Sequence, residues 1–170
     1  KLMATTLGVT GAAGLTSGGA MEVSEATVGS VMANAGSTLH VKKLTSTGEA
    51  TLTSKDEAKL DEVTAGTLAA ESTTGSVNAG TLTAKTGDAS VTAKTDVTIG
   101  TLKAEAGGAT IEATEGKLDV TTLNAKILTA KAGTTLSAKT LDVKEHAKLS
   151  SGGAMEVTDA NVGSVAAKAG

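Results

Sequence analysis

A short apolar pattern that recurs about every nineteen residues is the feature that most constrains how this 170-residue chain folds. Each unit holds three pairs of the form apolar-x-apolar. The first pairs begin at Leu2, Met21, Leu39, Ala58, Val77, Val97, Leu118, Leu136 and Met155. The second pair always begins three residues after the first pair ends. Nine units of six positions give 54 positions that are predicted to face inward, and Ser46 is the only one that is not apolar.

One part of the chain is repeated almost verbatim. Residues 17–36 read SGGAMEVSEATVGSVMANAG, and residues 151–170 read SGGAMEVTDANVGSVAAKAG, with 15 of 20 positions identical. The offset of 134 residues corresponds to seven units of about nineteen. The duplication therefore suggests a longer repeat built on the shorter one.

Alternation of apolar and polar residues is the periodicity of β-strands, whose successive side chains point to opposite faces. A unit of nineteen residues cannot bury its own apolar side, but stacked units can bury each other. The sequence therefore predicts an all-β fold, a parallel β-helix solenoid of about nine triangular coils with three short strands each. Residues 1–170 form one repeat array, and at about 4.8 Å per coil the rod is roughly 40 Å long.

The composition agrees with a narrow interior. The chain has no Phe, Tyr, Trp, Pro or Cys, and Ala, Thr and Gly supply 30, 30 and 21 residues. Val, Leu, Ile, Met and Ala would fill the interior, and Thr favours strand geometry on the outer faces. Glycines are expected at the third corner of the coil, where φ would be unusual: Gly18, Gly19, Gly36, Gly75, Gly116, Gly133, Gly152 and Gly153.

Several classes of protein are disfavoured. Without Cys there is no disulfide framework and no thiolate metal site. A net charge of −3, with no Arg and no aromatic residue, opposes nucleic-acid binding, which uses basic patches and stacking. Apolar runs of about three residues predict no membrane insertion, and no signal peptide is recognised in this stretch.

Charged residues at the first corner are predicted to stack with alternating sign. Lys42-Lys43 would lie between Ser24-Glu25 and Asp61-Glu62, and His40 would lie between Glu22 and Lys59. Such pairs help to set the register of stacked strands. Because neither end shows an atypical polar repeat, the 170 residues are expected to be a slice of a longer shaft.

The residues show no pattern typical of catalysis, so the chain is predicted not to be an enzyme, with no catalytic, cofactor-binding or metal-binding residues and no cofactor. His40 and His146 would lie more than five coils apart, too far to share a metal ion. Asp56-Glu57 and Asp61-Glu62 fall in different turns and are interpreted as solvated corners. The outward positions of the second face hold no cluster of carboxylates: Gly8, Thr27, Thr45, Thr64, Thr83, Lys103, Asn124, Asp142 and Asn161.

Outward Thr-x-Thr pairs leave an ice-binding surface as a remote alternative, together with a polysaccharide-binding β-helix. The pairs are Thr45/Thr47, Thr51/Thr53 and Thr81/Thr83. In the predicted register they do not stack in one column, because Glu62/Thr64/Gly66 and Thr101/Lys103/Glu105 interrupt the second face.

Units such as TLHVKKLTSTGEATL (residues 38–52) and GAMEVTDANV (residues 153–162) resemble the nineteen-residue R1-type repeats of filamentous haemagglutinins, exoproteins of the two-partner secretion pathway. The resemblance covers the whole chain through its periodic pattern. It implies a right-handed β-helical shaft displayed at the surface of a Gram-negative bacterium. The absence of Arg and the high Thr content depart from that family and leave open a related surface β-helix fibre.

The leading hypothesis is therefore a structural shaft of a secreted or cell-surface fibre or adhesin, a stiff spacer in adhesion, biofilm formation or cell–cell contact. The alternative is a self-assembling filament, sheath or surface-layer subunit. The expected partners are adjoining coils of a longer chain or further copies of itself. A host or neighbouring cell would be reached through domains outside these residues.

Overall fold

The computed structural model describes residues 1–170, and every element in it is a β-strand. The strands are β1 Leu2–Ser17, β2 Met21–Ala35, β3 Leu39–Ser46, β4 Glu49–Ser54, β5 Ala58–Ala65, β6 Thr67–Ser72, β7 Val77–Ala84, β8 Ala89–Ala93, β9 Val97–Ala113, β10 Leu118–Ala132, β11 Leu136–Ser151 and β12 Met155–Ala169. We number the coils 1 to 9 from the first inward residue of each, beginning with Leu2 and Met21. Coils 3, 4 and 5 contain two strands each, and every other coil is one strand.

All strand pairs are parallel, and each coil pairs with the coil before it and the coil after it. Leu39, for example, lies beside Met21 on one side and Ala58 on the other. The column continues in the same way as far as the pair Leu136 and Met155. The predicted fold class is therefore confirmed: the chain is an all-β parallel solenoid of nine coils.

The strands are longer than the three short strands per coil that the pattern predicted. In six coils the strand continues around two corners, and it reaches 17 residues in β9. Residues at the first corner, such as Thr122 and Thr140, remain paired in register. Stacked coils bend at the same place, so their backbone donors and acceptors still point along the rod at a corner. Small irregularities at the second corner, as between Val9 and Ala12, absorb differences in coil length.

The core is a continuous apolar column along the rod. All 42 inward positions predicted for coils 2 to 8 are buried, including Ser46. Ser46 Oγ donates to the backbone oxygens of Gly29, at 3.0 Å, and Glu49, at 3.3 Å, so this polar group is satisfied inside. Full burial of an aliphatic side chain stabilises a fold by roughly 1.5–3 kcal/mol, and this contribution recurs in every coil.

The sequence reasoning missed a seventh inward position in each coil, two residues after the third pair. It is always Ala or Ser: Ser17, Ala35, Ser54, Ser72, Ala93, Ala113, Ala132, Ser151 and Ala169. The first eight are buried. Here the third strand runs into the corner, where the interior narrows and only a small side chain fits. The buried serines donate to backbone oxygens of the turn, as Ser151 Oγ does to Thr134 at 2.6 Å.

The predicted reason for the corner glycines is wrong, because no glycine has a positive φ. What requires glycine is the close approach of the preceding coil. A Cβ on Gly36 would lie 2.5 Å from the carbonyl oxygen of Gly18, and one on Gly133 would lie 2.5 Å from that of Thr114. At these corners the backbones stack so closely that a side chain cannot point between the coils.

Candidate functional surfaces

The first corner carries most of the charged contacts in the N-terminal half of the rod. The predicted stacking is confirmed, since His40 lies between Glu22 and Lys59, and Lys43 lies between Glu25 and Glu62. The contacts do not always follow the columns.

Lys42 Nζ lies 3.4 Å from Glu22 Oε1, and His40 Nε2 lies 3.2 Å from Asp61 Oδ2. Long side chains thus reach diagonally to a neighbouring coil. The residue columns were readable from the sequence, but the partner chosen by each side chain was not.

The two histidines belong to separate surfaces. His146 lies in coil 8, where its Nδ1 is 2.9 Å from Ser164 Oγ of coil 9. His40 lies in coil 3 and contacts Asp61 of coil 4. Each histidine therefore contacts the coil that follows it, and the structure does not bring the two together.

The acidic pairs lie at different corners, as predicted. Asp56 is in the third corner, where Thr74 Oγ1 donates to its Oδ1 at 3.3 Å. Asp61 is in the first corner beside His40. The structure contains no group of three or more His, Cys, Asp or Glu side chains placed to hold a metal ion. Each of these two acidic residues contacts a neighbouring coil.

The second face holds the outward column in the predicted order, from Gly8 to Asn161. Its C-terminal part is a hydrogen-bonded ladder. The Asp142 carboxylate accepts from Asn124 Nδ2 at 3.3 Å and from Asn161 Nδ2 at 3.2 Å. One carboxylate held between two amides thus links three coils.

The threonine pairs do not form one flat array. Thr64, between Thr45 and Thr83, is flanked by Glu62 and Gly66 in its own coil. Thr51 and Thr53 lie on the third face, beside Ala69 and Glu71 of the next coil. Glu71 lies beside Thr53, and Lys103 lies beside Thr83, so charged side chains interrupt two of the three Thr pairs.

Large apolar side chains are exposed singly along the rod, and the inward residues of the first and last coils are only partly covered. Met3, Met32 and Ile127 lie on different coils. At coil 9, by contrast, a concavity of about 350 Å³ is lined by apolar residues only: Leu141, Leu149, Met155, Val157, Ala160, Val162, Val165 and Ala167. A second, shallow groove of about 400 Å³ over coils 1 to 3 is lined by residues such as Thr10, Thr27 and Thr47 and has no charged side chain.

Comparisons with models of protein families, with curated proteins and with solved structures gave no match for this chain. The resemblance to filamentous haemagglutinin repeats stays a prediction. Among the elements of the fold there is no helix of the length and apolarity needed to cross a membrane.

Proposed function

We propose that the chain is a structural shaft segment of a secreted or surface-displayed bacterial fibre, a stiff spacer in adhesion, biofilm formation or cell–cell contact. The observation that carries the proposal is the unbroken stacking of nine coils over a continuous buried core. Backbone hydrogen bonds run along the rod axis, and a closely packed interior resists compression. Such a rod holds its two ends at a fixed distance.

The residues on the sides of the rod favour a role as a spacer over a role in ligand binding. Their outward positions carry mainly Thr, Lys, Asp and Glu, and the exposed apolar residues do not adjoin one another. Binding hot spots are usually built from large aromatic residues and Arg, which this chain lacks. The proposed role therefore involves no catalytic step and no cofactor.

Display on a Gram-negative bacterium rests on the resemblance of the repeats to those of filamentous haemagglutinins. Antibody labelling of intact cells, with protease accessibility as a second measure, tests this part. Label confined to lysed cells would contradict surface display while leaving the fold untouched.

The spacer role itself is tested in the native surface protein with two matched changes. Deletion of residues 39–96 removes coils 3 to 5 and joins Thr38 to Val97, so the rod shortens by about 14 Å with its register kept. Changing Thr27, Thr45, Thr64 and Thr83 to Ser alters the second face and keeps the length. If the chain is a spacer, only the deletion should shorten the reach of the fibre and reduce cell contact, and the Thr changes should leave both unaltered. Loss of contact through the Thr changes alone, in a folded and displayed protein, would show that the face binds a ligand.

The alternative function is a self-assembling filament, sheath or surface-layer subunit, in which contacts between copies are the function. Open strand edges and apolar end surfaces are what end-to-end contacts between copies would cover. Sedimentation of the 170-residue chain over a wide concentration range separates the two. A filament subunit would grow in mass with concentration, and a spacer would not.

A further inference from the structure

The charges on the third face of the rod, the side formed by the third strand of each coil, are separated along the rod. Glu49 and Glu71 lie in coils 3 and 4, and Lys148 lies in coil 8; none of the three forms an ion pair within the chain. Lys131 in coil 7 lies 2.7 Å from Glu112 Oε1. Glu49 Oε1 accepts only a hydrogen bond from a threonine hydroxyl of its own coil, at 3.1 Å. Unpaired negative charge therefore lies in one half of this face and unpaired positive charge in the other.

Two large apolar side chains are also exposed on the third face. Met32 is 64% exposed, and Ile127, directly before the inward Leu128, is 44% exposed. The other large apolar residues that are exposed, Met3 and Val165, belong to the first and last coils. In coils 2 to 8 such residues thus occur on the third face alone, where a partner that covered them would gain free energy.

Between these residues the third face is low. Its central outward column has one residue per coil from coil 3 to coil 7, all of them small and uncharged: Thr51, Ala69, Ser90, Thr110 and Thr129. Another surface can therefore approach this side of the rod closely, whatever lies beyond either end of the chain.

We propose that the third face binds the third face of a second copy of this chain, with the two rods antiparallel. The two-fold axis lies between coils 5 and 6 and runs along the strands, so that coil 3 faces coil 8 of the second copy and coil 4 faces its coil 7. Glu71 then lies opposite Lys131 of the second copy, and Glu49 lies beside its Lys148. This pairing goes beyond the spacer role and does not depend on it.

The same arrangement places large apolar residues against small ones. Ile127 of coil 7 lies opposite Thr67 in coil 4 of the second copy, and Met32 of coil 2 lies opposite Ala166 in its coil 9. Side chains that protrude from one rod therefore meet low positions on the other, as shape complementarity at an interface requires.

Charge favours this orientation over the alternatives. In a parallel pair, Glu49 would face Thr53 and Glu71 would face Thr67, with no ion pair between the rods. An antiparallel axis through coil 5 would place Glu71 opposite Glu112, and one through coil 6 would place Glu112 opposite itself. Like charges therefore disfavour the two nearest registers, whereas the axis between coils 5 and 6 opposes no two like charges.

The area of the third face is sufficient for a weak but specific dimer. Eight coils and five residues per strand give a contact of roughly 38 by 16 Å on each copy. The two copies together would bury about 1,200 Å², at the lower end of the range of specific interfaces. The dimer should therefore be reversible and should depend on its ion pairs for orientation.

The first test combines mass with charge reversal. Sedimentation equilibrium of the 170-residue chain should show a reversible change from one chain to two, and the mass should stop there because the two-fold axis closes the pair. Glu49→Lys with Glu71→Lys should weaken the dimer at least about tenfold, as should Lys131→Glu with Lys148→Glu. An equimolar mixture of these two variants should pair again, since every reversed charge then faces its opposite.

The matched control, Glu105→Lys with Asp119→Lys, makes the same change in net charge as the first variant but lies away from the third face. It should leave the dimer unchanged. Circular dichroism checks that each variant folds. The first variant removes no ion pair of the chain, so its effect on the dimer can be separated from an effect on the fold.

The second test reports orientation through single cysteines, since the chain has none of its own. Ala69→Cys and Thr129→Cys lie three coils apart in one rod, about 14 Å, but face each other in the antiparallel pair. A short bis-maleimide should therefore link the two variants when they are mixed. The proposal is overturned if the chain stays single at all concentrations, if the control weakens the dimer equally, or if Ala69→Cys links only to itself. None of these results would contradict the spacer role, which the deletion of coils 3 to 5 tests separately.

Discussion

Coil 2 and coil 9 have nearly the same sequence and very different surroundings. Met21 is 1% exposed and its counterpart Met155 is only partly buried, although Met-Glu-Val follows the same Ser-Gly-Gly-Ala in both. Both coils adopt a continuous strand, β2 and β12, with the same length of 15 residues. The repeated sequence therefore has the same backbone conformation in both coils, whereas the burial of its side chains differs.

The difference shows how stability is distributed in a solenoid. Each coil contacts only its neighbours, so the stability of a coil depends on how many of its two faces are covered. An identical substitution should then have different consequences in coils 2 and 9. We make four predictions about stacked coils, from the largest effect to the smallest, and two of them compare coils 2 and 9 directly.

The largest effect is expected from a charge inside the rod. Val97→Asp places a carboxylate at a fully buried position of coil 6 and should cost more than about 4 kcal/mol, enough to prevent folding. Thr98→Asp, one residue later on the outer face, should cost at most about 1 kcal/mol, through repulsion from Asp119 in the next coil. Urea unfolding followed by circular dichroism measures both. Equal tolerance of the two changes would refute the inward–outward register on which the comparison depends.

A substitution that creates a cavity should destabilise the protein much more in coil 2 than in coil 9. Met21→Ala removes a buried side chain and should cost about 2–4 kcal/mol, whereas Met155→Ala should cost less than about 1 kcal/mol because that site is already open. The denaturant midpoints of the two variants give the ratio of their losses in unfolding free energy. Similar losses at both sites would mean that coil 9 is covered in solution.

The two Ser-Gly-Gly-Ala turns provide a matched pair of glycines. A Cβ on Gly152 would collide with the carbonyl oxygen of Gly133 in the preceding coil, but a Cβ on Gly18 would meet nothing within 4 Å. Gly152→Ala should therefore destabilise the protein by about 1–3 kcal/mol through overpacking. Gly18→Ala should stabilise it by a few tenths to about 1 kcal/mol, since it restricts the unfolded chain. Thermal unfolding shows whether each variant gains or loses stability. A loss of stability in Gly18→Ala would point to a neighbour stacked against coil 1.

The smallest effect is expected at the charged corner. Glu22 contacts both Lys1, at 3.8 Å, and Lys42, so Glu22→Gln should cost up to about 1 kcal/mol at low salt and less at high salt. Glu156→Gln, at the same place in coil 9, should change stability very little. A salt titration of unfolding distinguishes the two variants. A loss at Glu156 equal to that at Glu22 would contradict the difference between the coils.

Much of the fold was predictable because strand periodicity and repeat length are local properties of the chain. The inward column through Leu39, Ala58 and Val77, and the outward column through Thr45 and Thr64, both follow from counting residues. The seventh inward position was predictable too, since Ala or Ser recurs there in every unit. It was missed because small residues give a weak signal of burial.

Other features depended on contacts between coils. The glycines are required by the carbonyl groups of the preceding coil, which no single unit reveals. His40 contacts Asp61 although Lys59 is the residue in its own column, because a long side chain selects its partner in space. The candidate surfaces were likewise only partly predictable: the outward column through Asn124, Asp142 and Asn161 follows from counting residues, but the hydrogen bonds along it do not.

The sequence by itself determined the strand type, the repeat, the register and nearly all of the interior, because alternating side chains and a period of about nineteen residues admit one way of stacking. The tertiary structure decided the contacts between coils. The carbonyl groups of one coil leave room only for glycine at corners of the next, and long side chains such as His40 select a partner in space and not in their own column.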